Sequence, residues 1–298
     1  MIFLEANNQM KKVKFFSSYC SDDQIYQNIR SSWGKGNATY KDIKITKDSD
    51  YEYAVILNRA VPDRYLPKEN ILGFSHEPRE TVGLDLNNLN FISNNVSNYY
   101  ISNNSGFIEP FKEGFCYVCP ADFGKSEGVD YSHNKKMSMI LSLSRFMPGH
   151  HMRHNLLERI LKSDMDIHFY ANGLNKIYSD ERVKEFDWNI FHVPYEDYQT
   201  QIVIENVIDN SWATEKLTNC IIKKTLPIYY GSKNIADEFY GQDSIKMLGE
   251  NTDENFEIIK GVYDDNQVYE KNMDSILLAN SKLYNEKNLM EFLNSYFK

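Results

Sequence analysis

Two hydrophobic periods take turns along this chain. Short apolar runs read as strands: KVKFFSS (12–18), YKDIKIT (40–46), YEYAVILN (51–58), NILGFSHEP (70–78), with NYYISNN and CYVCP as shorter ones. Between two of the runs, DDQIYQNIRSSW (22–33) repeats apolar residues at helical spacing, and Gly34 and Gly36 end it. A polar, glycine-containing stretch, ADFGKSEGVDYSHNKK (121–136), then interrupts the pattern as a linker. Beyond it the alternation resumes with MSMILSLS (137–144), the helix HMRHNLLERILKS (151–163) and the strand MDIHFYANG (165–173). Leu156, Leu157, Ile160 and Leu161 share one face of that helix. YQTQIVIEN (198–206), TEKLTNCIIKK (214–224) and LPIYYGS (226–232) continue strand, helix, strand, and the tail from about 253 reads as helical. Strands alternating with helices on both sides of a linker predict two parallel-sheet α/β domains. In open α/β sheets ligands sit at the carboxyl ends of strands, so each strand-to-helix loop is a candidate site wall.

A length of 298 residues accommodates two such domains, and 21 Tyr with 17 Phe can fill two cores. The net charge of −9 argues against a broad nucleic-acid or anionic-membrane surface, yet leaves room for a local basic pocket around a phosphorylated ligand. No run approaches the ~20 apolar residues of a membrane span, and the N-terminus has an early acid and too short an apolar stretch for a signal peptide. The expectation is a cytoplasmic protein without a transmembrane segment. Cys116-x-x-Cys119 has the spacing of a redox pair or half a zinc site, but no second such pair exists, which favours free thiols.

The densest chemistry lies in IVIENVIDNSWATEKLTNCIIKKTLPIYYGS (202–232). Asn206 ends a buried strand, and Trp212 to Lys216 open the next helix. Free N–H groups and partial positive charge at a helix start suit a phosphate. Lys216 adds a full charge, Trp212 can stack on a ring, and Glu215 can accept two ribose hydroxyls. Asn206 can donate to a phosphate oxygen. The same residues also make a well-formed helix start, with Thr214 or Ser211 as cap, so spacing alone leaves both readings open.

This run resembles the donor-binding signature of the α-1,3-fucosyltransferases, glycosyltransferase family 10. That signature is a strand ending in Phe-Glu-Asn, an aromatic turn, Thr-Glu-Lys, a helix and a Pro-x-Tyr-x-Gly strand. Ile204 stands for the Phe and Trp212 for the usual Tyr, with the Asn206–Lys216 spacing kept. Two weaker likenesses extend it. MSMILSLSRFMPGHHMRHNLLERIL resembles the family's first donor-domain strand and helix, with Arg145 in place of an Asn and Arg153 as the helix Arg. NILGFSHEPRE places Glu77 at the family's strand-terminal Glu.

The resemblance implies a GT-B fold: two Rossmann-like domains facing across a cleft, here residues 1–128 for the acceptor and 129–298, with the helical tail, for the nucleotide-sugar donor. It implies inverting transfer of fucose from GDP-fucose to a glycan hydroxyl. Glu77 is the expected base, with Glu80 as substitute. Arg153 and Lys216 are expected at the diphosphate; Asn206, Trp212, Thr214 and Glu215 also contact the donor, and Asn172 with Gly173 borders the guanine. No cofactor or metal site is implied, with manganese or magnesium at most stimulating transfer. His150, His151 and His154 are read as phosphate-facing or solvated, not as metal ligands, and Asp164 as a turn residue. Trp212, Val207 (for a Ser) and Arg145 depart from the family pattern, which opens the alternative of another nucleotide sugar. The first 65 residues do not match the family, which opens a second: a non-catalytic sugar-nucleotide or glycan-binding protein of the same fold.

Overall fold

The computed structural model describes residues 10–187 and 192–297. The chain divides into two compact units, residues 1–125 with 285–298, and residues 126–284.

The first unit is built on β1 (Lys11–Ser17), α1 (Asp22–Ser31), β2 (Thr39–Tyr40), β3 (Ile43–Thr46), β4 (Tyr53–Leu57), β5 (Ile71–Phe74), α2 (Arg79–Val82), α3 (Leu86–Asn95), β6 (Asn98–Ile101) and β7 (Phe111–Glu113). Its sheet runs β2-β3-β1-β4-β5-β6-β7, parallel except for the β2–β3 pair. The alternating run 40–46 is therefore not one strand: Lys41 takes a left-handed φ of 48° and folds it into a hairpin. Continuous apolar runs such as Val55-Ile56-Leu57 fit strands covered on both faces. Ser21 starts α1 with a capping box to Gln24, and Ile25 and Ile29 turn inward. Ile56, Tyr99, Ile92 and Phe111 share one core. The expected strand at CYVCP does not form, because Tyr117 sits at φ 52° and breaks the extended path. Among the described residues no cysteine is in a disulfide.

The second unit contains β8 (Lys135–Ile140), α4 (Pro148–Leu161), β9 (Ile167–Ala171), β10 (Val183–Glu185), α5 (Val193–Glu196), β11 (Tyr198–Ile204), α6 (Glu215–Ile222), β12 (Leu226–Tyr230), α7 (Lys233–Tyr240), β13 (Lys246–Met247), α8 (Thr252–Asp264), α9 (Val268–Lys271) and α10 (Met273–Asn285). Its parallel sheet runs β10-β9-β8-β11-β12-β13. Leu156, Leu157 and Ile160 of α4 are buried against Ile167, Phe169 and Ile202, while Leu161 is partly buried at the margin. Each fully buried side chain of this size contributes about 1.5–3 kcal/mol.

The helical tail does not stay with the second unit as expected. Its last helix, α11 (Leu289–Tyr296), belongs to the first. Glu291 pairs with Lys41 at 2.6 Å and accepts from the Tyr40 hydroxyl at 2.8 Å; Tyr296 meets Ser97 and Asn98, and Phe292 packs on Phe74. The tail's helical period showed its type, but not which sheet would cover its apolar face.

Candidate active site

At the carboxyl end of β11 the apolar run Ile202-Val203-Ile204 stops at a glutamate. Glu205 is 0 % exposed, a costly place for a carboxylate unless it is fully partnered. The Thr214 N–H donates to its Oε1 at 2.8 Å, the Thr214 hydroxyl lies 2.8 Å from its Oε2, and Lys216 Nζ lies 3.4 Å from Oε2. Thr214 also caps α6, its hydroxyl accepting from the Lys216 N–H at 3.3 Å. Glu205 therefore staples the strand end to the helix start and fixes the loop between them. Lys216 Nζ is also 2.9 Å from the Thr214 hydroxyl and 3.2 Å from Glu215 Oε1. Burial opposes the charge on Lys216, but Glu215 and Glu205 outweigh it and raise the lysine above its ordinary range. Burial likewise opposes the charge on Glu215, and Lys216 wins, holding it below the usual carboxylate range. Lys216 keeps 28 % of its side chain in solvent, so an incoming anion can reach it.

The start of α4 leans on the same strand end. Arg153, in its second turn, is 4 % exposed; its Nε donates to the Ile204 carbonyl at 3.1 Å, and its Nη2 donates to that carbonyl and to Asn206 Oδ1. Its Nη1 has no hydrogen-bond partner among the described residues. Burial lowers Arg153's pKa, opposed by Glu205 and Glu215; a guanidinium stays charged regardless. Gly149 makes this approach possible: its N–H donates to the Asn206 carbonyl at 2.9 Å, and a Cβ there would lie 1.9 Å from the Glu205 carbonyl oxygen. His150 is buried beside the group, accepting from the Met147 N–H at 3.3 Å. Burial, then the charges of Arg153 and Lys216, push its pKa down to about 4. Two cations, two carboxylates, an amide and a helix start thus meet where β11, α4 and α6 converge.

The structure brings Arg153, Asn206, Thr214, Glu215 and Lys216 together and leaves other expected residues elsewhere. Trp212 is 3 % exposed, which removes the ring face expected to stack on a ligand. Asn172 and Gly173 follow β9, with β8 between them and β11. They share the sheet's carboxyl edge, and the Gly173 N–H is engaged by Glu185 at 3.1 Å. Glu77 and Glu80 lie in the first unit, exposed, in the loop after β5 and in α2. Of the three histidines expected to face phosphate or solvent, only His151 is exposed; His154 is buried, with its Nε2 on the Ser142 carbonyl at 3.0 Å. No group of three metal-ligating side chains occurs among the described residues. Sequence reasoning overlooked Glu205 and Gly149 as parts of this site, and read His150 as phosphate-facing or solvated where the fold buries it beside the group. For Glu205 the signal was an acid closing an otherwise apolar strand; for Gly149, a glycine one residue inside a helix started by Pro148.

No protein-family model matches the chain, and no curated protein matches its sequence. Solved structures do resemble it. An α1,3-fucosyltransferase is similar at a TM-score of 0.57 and 12 % identity, over 97 % of this chain and 89 % of that one. An α1,3-fucosyltransferase solved with GDP-fucose gives 0.54 and 12 %, over 100 % and 92 %. HepE from Anabaena, in complex with UDP and glucose, gives 0.54 and 11 %, over 96 % and 100 %. At such identities the likeness establishes the fold: an α/β chain of the GT-B class, with two Rossmann-like domains. No helix among the described residues is long and apolar enough to cross a membrane.

Proposed function

We propose that the chain is an inverting glycosyltransferase that takes its sugar from a nucleotide diphosphate, GDP-fucose in the best-supported reading, and transfers it to a glycan hydroxyl. The gathering of Arg153, Asn206 and Lys216 at the start of α6 carries the proposal. Lys216 meets the diphosphate as a partly exposed point charge. Arg153 braces Asn206 and the strand end, and turns its remaining Nη1 to a phosphate oxygen. Together they stabilise the charge that develops on the leaving diphosphate. Glu215 accepts from the ribose hydroxyls. Glu77, exposed at the carboxyl end of β5, takes the proton of the attacking hydroxyl, and attack from the face opposite the leaving group inverts the anomeric carbon. With two cations at the diphosphate no metal cofactor is needed, and manganese or magnesium would only add to transfer. Acceptor glycans enter glycan biosynthesis or protein glycosylation.

A second reading keeps the reaction and changes the donor. It is favoured by the burial of Trp212 and by HepE, whose structure holds UDP and glucose. Titration calorimetry of GDP, UDP and dTDP, then of their sugar conjugates, tests both. The proposal expects GDP to bind tightest and GDP-fucose at least as well. It expects Lys216→Ala to weaken GDP by about 10- to 100-fold, the worth of a charged hydrogen bond of about 1.5–3 kcal/mol. Tighter UDP binding transfers the argument to the second reading, and binding of none of the three refutes both.

A further inference from the structure

The carboxyl edge of the first sheet carries a second polar group, assembled from three separate strand ends. In the sheet order, β4 lies between β1 and β5. Tyr19, two residues beyond β1, reaches across that gap: its hydroxyl is 3.0 Å from His76 Nδ1, in the loop after β5. The loop after β4 fixes the His76 backbone. Asn58, in the left-handed region at φ 56°, accepts the His76 N–H on its Oδ1 at 2.7 Å, donates its own N–H to the Phe74 carbonyl at 2.8 Å, and receives the Tyr99 hydroxyl at 2.8 Å. Asparagine is among the few residues that take this conformation readily. The next residue is Glu77, whose carbonyl accepts the Ser75 hydroxyl at 2.5 Å. A histidine and a half-exposed tyrosine are thus joined by a hydrogen bond beside a loop whose backbone is fixed, and the next residue in that loop carries an exposed carboxylate.

We propose that Tyr19, oriented by His76, binds the acceptor: its hydroxyl oxygen accepts a hydrogen bond from a glycan hydroxyl neighbouring the one that Glu77 deprotonates. This rests on the transferase reading and names a residue that reads its acceptor. The direction of the hydrogen bonds follows from the histidine. A phenol O–H is the stronger donor of the two groups and an imidazole nitrogen the stronger acceptor, which places the ring proton on Nε2 and leaves Nδ1 to the tyrosine. In a neutral imidazole only one nitrogen carries a proton. With that proton on Nε2, Nδ1 accepts, and the Tyr19 O–H donates to it. Burial holds His76 down to about 4, so the ring is neutral at pH 7. Burial pushes the Tyr19 hydroxyl above its ordinary range, so its proton stays in place. Tyr19 therefore presents lone pairs alone, and it is 52 % exposed. A side chain that can only accept selects a partner that can donate, which a sugar hydroxyl does. His76 touches no substrate here; it is a positioning residue.

The test is initial-rate kinetics on the full chain, with GDP-fucose as donor and lactose or p-nitrophenyl N-acetylglucosaminide as acceptor, paired with glycan-array binding in the presence of GDP. Tyr19→Phe is expected to raise acceptor KM about tenfold, the worth of one good hydrogen bond, while donor KM, GDP affinity and Tm stay at wild-type values. His76→Leu should do the same, and His76→Asn, which keeps an acceptor near the Nδ1 position, should recover much of the loss. On the array, Tyr19→Phe should lose the glycans that the wild type retains. Unchanged acceptor KM and array signal in Tyr19→Phe overturn the proposal, as does a donor KM that rises in parallel. A wild type that retains no glycan overturns it too. Failure of GDP binding in the wild type sinks the transferase reading, and the array comparison then still decides the role of Tyr19.

Discussion

The two units place polar groups at the same edge of similar sheets and hold them by different means. In the first, Tyr19, Asn58 and His76 are joined by neutral hydrogen bonds, and the carboxylate of interest, Glu77, lies in solvent. In the second, Glu205 and Arg153 are buried and Lys216 is partly exposed; Glu205 is paired with Lys216, and Arg153 donates to the Ile204 carbonyl and Asn206. Neutral hydrogen bonds contribute about 0.5–1.5 kcal/mol apiece, whereas removing one member of a buried ion pair strands its partner and costs about 3–5 kcal/mol. The second edge is therefore part of its unit's stability, and the first can change with little effect on folding.

The comparison breaks most visibly at Glu205. Glu205→Ala leaves the Thr214 N–H and the charge of Lys216 without their buried partner, and should cost about 3–5 kcal/mol. Urea unfolding followed by hydrogen exchange should locate that loss in residues 126–284 and leave the first unit's protection unchanged. Equal loss in both units would refute the division drawn here. Glu77→Gln should be the mirror image: transfer falls by about 10² or more with GDP affinity and Tm retained, as removal of a general base requires. A rate within a few-fold of wild type would take the base role from Glu77 and move it to Glu80.

These two edges were not equally legible in the sequence. The second is coded largely in one continuous run, Asn206 to Lys216, whose residue types and spacing fitted an anion site and an ordinary helix start equally well until the family resemblance favoured the first. What that run did not reveal was orientation: Trp212 could face ligand or core, and only packing turned it inward. Arg153 was visible as a helix cation, but its burial depends on Gly149 admitting α4 to within contact of the Glu205 carbonyl, a tertiary fact. The first edge brings together residues 19, 58 and 76 from three loops, and local periodicity contains nothing of that kind. Strand and helix types were legible wherever the period was sustained. Failures fell where one residue with positive φ, Lys41 or Tyr117, broke a good strand pattern. The destination of α11 was set by its contacts with Tyr40, Lys41 and Phe74, far away in sequence.

The smallest expected effect sharpens the comparison with acid. In the second unit His133, His150, His154 and His168 are all held below their ordinary pKa by burial; among the described residues of the first, His76 is. A histidine kept neutral in the fold but free to protonate when unfolded adds stability that is complete above pH 6.5. That stability is lost as pH falls toward the folded value. For His150, with about 4 in place of 6.5, the loss is about 1.4 kcal/mol at pH 5.5 and grows until about pH 4. His76 contributes a similar loss to its own unit, but the second unit adds three more depressed histidines. Between pH 7 and 5.5 hydrogen exchange should therefore rise earlier and further in residues 126–284 than in the first unit. His150→Asn should narrow the gap by about 1 kcal/mol while leaving the first unit's profile alone. Parallel loss in both units would mean that the charges around Glu205, not the buried imidazoles, set the response to acid.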